Sequence, residues 1–291
     1  MAHENNSHGN TEFCWNCVVS INPRKNVLMI DLSYYVFYRY YSTYNWLKKY
    51  QKIDVSRDEI LKEPLFIEKY SKIFERTLCD IVKQYDITWT NVFLVKDCMR
   101  ENIWRYDHYK NYKASRDDRL DTFNKDIFWI TYNELIPKLK IKYNLQVISH
   151  DRLEADDVIA IMKVELRNLY PDIDITIITN DNDYIQLVDS KTIIRNLQGK
   201  EIIQRVAMSP QLYLKTKIIM GDKSDNIPCI MKKVGPKTAE KLAVDDENFE
   251  KFCQKNPDAR VQYEANKLLI DLSCIPDHFR NAFKSRIVYQ E

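Results

Sequence analysis

Three short apolar runs in this chain each end in acid. "NVLMID" (26–31), "NVFLVKD" (91–97) and "IDITIITNDND" (173–183) are nearly unbroken until an aspartate closes them. Apolar runs without polar alternation suit strands buried on both faces, as in parallel sheets covered by helices. Segments of helical period separate them: 32 to about Lys49, 65–85, 124–140 and 154–169. "LQVIS" (145–149) adds a strand, and "TIIRNL" (192–197) and "EIIQRV" (201–206) add shorter ones around Gly199. This alternation predicts an α/β fold, a parallel sheet with helices on both faces. Residues 208–291 read as a mostly helical region.

An open parallel sheet binds its ligands at the carboxyl ends of the strands. Asp31, Asp97, Asp181 and Asp183 fall at or just beyond such ends. Glu154, Asp156 and Asp157 open the helix that follows 145–149, on the same edge. Its core stripe is Ala155, Val158, Ile159, Met162 and Leu166. Acids in a first turn suit the helix dipole by roughly 0.3–1 kcal/mol each, which accounts for one or two of the three. "MGDKSDNIP" brings Asp222 and Asp225 in a loop between helices. Any one of these acids alone reads best as a solvated loop carboxylate. Nine on one rim would repel each other, and hard divalent ions such as Mg²⁺ or Mn²⁺ resolve that. Two ions roughly 3.5–4 Å apart commonly activate water against phosphodiesters.

The net charge is +2, and removing nine negative charges from it leaves +11 for the rest of the chain, enough to meet a phosphate backbone. From 98 to 121, Arg100, Arg105, Lys110, Lys113 and Arg116 interleave with Trp104, Tyr106, Tyr109 and Tyr112. Aromatics of this kind either stack unpaired bases or pack inward beneath an exposed basic face. With four glycines in all, the chain has no glycine-rich phosphate loop. Seven cysteines and the absence of a secretory signal point to an intracellular protein, in cytoplasm, nucleus or a viral replication site. No apolar run approaches the roughly 20 residues that cross a bilayer. Cys14 and Cys17, with His3 and His8 nearby, read either as half a zinc site or as thiols in a loose tail over 1–22.

"MIDLSY", "VKD", "YKASRDDR", "LEADDVIA", "TNDNDYIQL", "MGDKSDNIP" and "VGPKTAEKL", in that order, resemble the flap-endonuclease/5′-nuclease family over roughly residues 26–245. The resemblance implies a PIN-like nuclease core at 23–207, with a helical arch at about 98–121. It also implies a helix–three-turn–helix at about 220–245. Asp31, Asp97, Glu154 and Asp156 would centre on one metal ion. Asp181, Asp183 and Asp222 would serve a second, with Asp156 or Asp157 between them and Asp225 acting partly through water. Asp156 would be essential to the chemistry, while Lys113 and Arg116 would contact the scissile phosphate. Phe37 would lie near unpaired terminal nucleotides, beside stacking surfaces at Tyr109 and Tyr112. Gly235 and Thr238 match the duplex-binding hairpin, which in relatives also binds K⁺, and Lys237 would meet a phosphate. This chain reads Lys233-Val234-Gly235 where the family has Gly-hydrophobic-Gly, so Lys232 or Lys233 would compensate by direct phosphate contact.

The implied activity is Mg²⁺-dependent 5′-3′ exonuclease and flap endonuclease action on branched or 5′-flap DNA, in replication, repair or recombination. RNA/DNA hybrids are a further implied substrate, and the expected form is a stand-alone viral monomer. A PIN-type ribonuclease would share the acidic rim without needing "GPKTA". A branched-DNA-binding protein would not need the full acid set. A phosphatase would need the second aspartate that "MIDLSY" lacks.

Overall fold

A computed structural model describes residues 19–22, 26–52, 55–115, 123–285 and 287–289. His3, His8, Cys14, Cys17 and Arg116 lie outside the described residues.

The chain begins with β1 (Val19–Ile21), β2 (Val27–Asp31), α1 (Leu32–Trp46), α2 (Pro64–Gln84) and β3 (Val92–Val95). Next come α3 (Asp126–Ile130) and α4 (Ile136–Tyr143), joined by a wide turn at Thr131–Leu135 just before Pro137. Proline has no N–H to give the preceding turn, so the helix widens there rather than breaking. Then follow β4 (Gln146–Ile148), α5 (Ala155–Leu169), β5 (Ile175–Ile178) and β6 (Thr192–Arg195). The remainder is α6 (Pro210–Met220), α7 (Pro236–Val244), α8 (Asp246–Lys255), α9 (Pro257–Ile270), α10 (Asp277–Lys284) and β7 (Ile287–Tyr289).

Five strands form one parallel sheet in the order β4-β3-β2-β5-β6. Alternate side chains of each strand enter opposite cores. Val27, Met29, Phe93, Val95, Ile175 and Ile177 meet α5 and α10, whereas Leu28, Ile30, Val92 and Leu94 meet α1, α2 and α4. Each such buried apolar side chain contributes about 1.5–3 kcal/mol, which explains why the strands show no polar alternation. The chain winds outward from β2 through β3 to β4, then returns to β2's other side as β5. That reversal opens a crevice at the carboxyl ends of β2 and β5, where Asp31 and Asp181 stand.

Three expectations need correction. The loose tail gives way to structure by Val19, since β1 pairs in parallel with β7 and Ile21 is buried. Asn91 latches this segment, accepting from Asn22 N and donating to the carbonyls of Asn22 and Asn26. The strand expected at 201–206 curls into a short turn at Ile202–Arg205, because Ile202 turns into the core after a single bridge at Glu201. The helical arch is also absent from 98–115, which is built from short turns at Arg100–Asn102 and Trp104–Asp107. Ile103, Trp104 and Arg105 are consecutive and all buried, which one face of a helix cannot provide, and Lys113 has φ +55°.

The C-terminal helices are tied to the sheet's core. Leu272, Ile275, Phe279 and Phe283 join the core on the α5 side of the sheet. Three polar side chains converge on the end of α9. Arg105 Nε donates to Leu269 O at 2.8 Å, and Gln186 donates to Ile270 O and accepts from Leu272 N. Asn266 donates to Ile218 O and Pro228 O, holding the end of α6 to the loop beyond it.

That loop depends on Gly221, whose φ is +69° and where an added Cβ would lie 2.3 Å from Pro228 O. Lys233, by contrast, bears a side chain at φ +73°. Two opposite outcomes follow in urea unfolding. Gly221→Ala lowers stability by about 1–3 kcal/mol from backbone strain alone, with the clash adding to it. Lys233→Gly raises stability by ~1 kcal/mol, since glycine escapes the left-handed penalty. A neutral Gly221→Ala would show that the loop is not held as described.

Candidate functional site

Seven of the nine expected acids line one cleft of about 1660 Å³: Asp31, Asp97, Glu154, Asp156, Asp181, Asp183 and Asp222. Lys113 and Phe37 line it as well. The acids come from five separate loops or helix starts, and backbone geometry aims them. Asp31 caps α1, accepting from Tyr34 N at 3.0 Å, and also receives Thr179 Oγ1 at 3.0 Å and Tyr184 OH at 3.3 Å. Asp97 accepts from Ser33 Oγ at 2.5 Å and from Ala155 N at 2.8 Å, so the end of β3 is fastened to the start of α5. Asp181 receives Asp183 N at 2.9 Å.

Carboxylate oxygens of Glu154, Asp156 and Asp157 lie within 4.8 Å of one another, and those of Asp183, Asp222 and Asp225 do likewise. Asp157 and Asp225 are buried, and neither is among the residues lining the cleft. Both Asp157 oxygens are taken up by the Arg105 fork at 2.7 and 2.8 Å, and one also receives Trp104 Nε1 at 2.9 Å. Asp157 therefore anchors Arg105 beneath the site. Asp225 sits behind Tyr112, whose hydroxyl lies 3.0 Å from Glu154 Oε2 and 3.1 Å from Asp225 Oδ2.

The electrostatics are uneven. Burial, then Asp97, then Asp181 push the Asp31 carboxyl up from 3.8 to about 7. Burial and the neighbouring Asp157 raise Asp156 well above the usual carboxylate range. Burial acts to raise Glu154 too, but Lys113 and Arg105 outweigh it and hold the group at about 2. Lys217 and Ser224 overcome burial at Asp222 in the same way, again to about 2. Lys113 contacts Glu154 Oε1, and Lys217 contacts Asp183 Oδ1 and lies 2.8 Å from Asp222 Oδ2.

These donors suit a hard divalent ion. Every acid facing the cleft offers oxygen, no histidine lines it among the described residues, and Asp31 and Asp156 carry uncompensated repulsion that a cation would relieve.

The remaining expected residues divide. Phe37 packs against Phe123 and Phe128, ring centroids 4.5 and 5.1 Å away, leaving part of its surface in the cleft wall. Lys232, Lys233, Lys237 and Thr238 are exposed on the hairpin and first turn of α7, and Gly235 caps that helix. Adjacent Pro236 reaches the cleft, so the hairpin borders its mouth. No atom lies within 4 Å of where a Gly235 Cβ would be, so internal packing does not require glycine there. The stacking role of Tyr112 is corrected, whereas Tyr109 is half-buried. Tyr112 is buried over the acids, and Tyr109 packs beside it with its hydroxyl on Asn226 O at 2.9 Å.

Sequence reasoning missed Arg105 and Trp104 as supports, and Lys217 altogether. Arg105 stood in view within the basic stretch, but nothing local separated it from the other cations there.

A family profile described as 5′-3′ exonuclease, N-terminal resolvase-like domain, matches residues 26–212. DNA polymerase I of Lactococcus lactis subsp. cremoris is 26% identical over 262 residues, covering 86% of this chain and 28% of the polymerase. DNA polymerase I of Streptococcus pneumoniae is 31% identical over 162 residues, covering 52% of this chain and 17% of the polymerase. The chain thus spans about a quarter of the length of the polymerases it matches most broadly. In fold it is similar to the bacteriophage T5 flap endonuclease solved with DNA and metal ions, at a TM-score of 0.64 and 17% identity. That match covers 90% of this chain and 97% of the other. The T5 5′-exonuclease with bound zinc gives 0.63 and 17%, covering 90% and 99%.

The pKa pattern sets a pH dependence for the cation-free protein. Asp31 and Asp156 bind protons more tightly folded than unfolded, so their stabilisation is complete below about pH 4 and lost as pH rises towards 7. Glu154 and Asp222 act oppositely, and their contribution is lost only as pH falls towards 2. Stability in EDTA should therefore fall between about pH 4 and pH 7, and added Mg²⁺ should remove most of the fall. Urea midpoints across that range measure it, and a steady rise in EDTA would contradict the crowding of acids described.

Proposed function

We propose, because this chain belongs to the 5′-3′ exonuclease family of N-terminal, resolvase-like domains, that it is a metal-dependent, structure-specific 5′-nuclease. Its substrates are 5′ ends and flaps at single-strand/duplex junctions in branched DNA, with RNA/DNA hybrids as a secondary class, and it acts as a monomer inside the cell. The observation that carries the reading is the convergence of seven carboxylates and Lys113 on one cleft bordered by an exposed basic hairpin.

Asp31, Asp97, Glu154 and Asp156 are suited to hold one Mg²⁺ or Mn²⁺, and Asp181, Asp183 and Asp222 a second. When bound, such ions supply water activation and neutralise charge on the leaving oxygen. The chain's own residues do the rest. Ser33 and the amides of Tyr34 and Ala155 orient the acids, and the Arg105 fork fixes the first turn of α5 so that Asp156 faces the cleft. Lys113 reaches into the cleft from a backbone pinned by Asp225 O and Arg100, the right place to meet the phosphate as its charge grows. Arg116 belongs with it in this reading. Lys232, Lys233 and Lys237 grip duplex phosphates around Gly235 and Thr238, a helix–three-turn–helix role that extends to K⁺. Phe37 offers a face to an unpaired base.

One labelled flap substrate, incubated with and without Mg²⁺, tests this directly. Cleavage near the junction should require the metal. Asp156→Asn should abolish it while leaving DNA binding intact. Lys113→Ala should lower the single-turnover rate by about 10²–10³ with little loss of affinity, as for one lost electrostatic stabiliser. Cleavage of unstructured RNA in preference to the flap would favour a PIN-type ribonuclease instead.

A further inference from the structure

Lys217 projects from α6 one turn before Gly221 and places its ammonium between two acids from different loops. It contacts Asp183 Oδ1 and lies 2.8 Å from Asp222 Oδ2, and its side chain is only 13% exposed. Ser224 occupies the other Asp222 oxygen, through its amide at 2.7 Å and its hydroxyl at 2.6 Å. The ammonium thus covers two of the three acids assigned to the second cation. In the first set, the contacts of Lys113 and Arg105 both fall on Glu154, one acid of the four. An ammonium and a divalent ion are drawn to the same oxygens by the same field, and each repels the other at these distances.

We propose that Lys217 is a built-in competitor of the second divalent ion. The Asp31, Asp97, Glu154 and Asp156 set then fills first. The Asp181, Asp183 and Asp222 set fills only when the ammonium is drawn off its two partners. Lys217 is in this sense an affinity-setting residue rather than a catalytic one, and the inference rests on the two-cation reading above. An ion pair serving only to hold the two acids in place predicts the opposite sign, since its removal would splay them and weaken cation binding.

Calorimetric titration of the metal-stripped full chain with Mn²⁺ alone, without DNA, separates these outcomes. The wild type should show one tighter and one weaker class of site. Lys217→Met should tighten the weaker class by about tenfold or more and leave the tighter class within about twofold. Lys217→Arg should keep the wild-type pattern. If Lys217→Met does not fold without metal, Lys217→Gln, which keeps a polar contact but no charge, should show the same tightening. A weaker class that is unchanged or loosened in the neutral variants overturns the proposal while leaving two cation sites standing. A wild type that binds no Mn²⁺ overturns both this proposal and the reading beneath it.

Discussion

Carboxylates gathered a few ångströms apart repel each other by about 1 kcal/mol per pair in water, and by about 4 at the effective dielectric of a protein surface. Much of the architecture around the cleft answers that repulsion. The sheet brings the acids to one edge because its strands are parallel and its order reverses beside β2. Fixed partners then hold them there: the amides of Tyr34 and Ala155, the hydroxyls of Ser33 and Thr179, and the cations of Arg105, Lys113 and Lys217. Arg105 bears the most. A buried guanidinium is tolerable only with its donors satisfied, and here they reach Asp157, Glu154 and Leu269 O.

The sheet and most of the acid set were legible because their signals are local. An apolar run that stops at an aspartate reports both a buried strand and the polar edge where it ends. The resemblance to the nuclease family added order and roles. Asp156 and Asp157 show where such reading stops. Adjacent on one helix, they differ by about 100° in direction, and only the position of Arg105, 52 residues earlier along the chain, decides which faces the cleft. The reading of Tyr112 fails for the same reason. A Tyr-Lys-rich stretch suits stacking or packing equally, and Tyr112 packs because Glu154 and Asp225 flank its hydroxyl from distant loops. Lys217 carried no signal of its own, since nothing in "KIIMGD" tells which acids the fold will place beside it.

The hairpin carries a lysine, Lys233, where its backbone is left-handed. Its backbone keeps the left-handed turn that a glycine would adopt freely. The chain therefore accepts local strain of order 1–2 kcal/mol and gains a cation on the surface beside the cleft mouth. At Gly221 no such exchange is open, because the carbonyl of Pro228 occupies the space a side chain would need.

The end of α9 holds no reacting group, yet the three supports of the cleft meet there through Arg105, Gln186 and Asn266. It works as a common datum, the point from which both acid clusters and the loop after α6 take their position. A misplacement of about 1 Å in a reacting group can cost ~10² in rate, so slack at this junction would be felt across the whole rim at once. A displacement of the end of α9 would reach Glu154 and Asp157 through Arg105, and the turn at Asp183 through Gln186. The last turn of α9 is in that respect the gauge of the cleft.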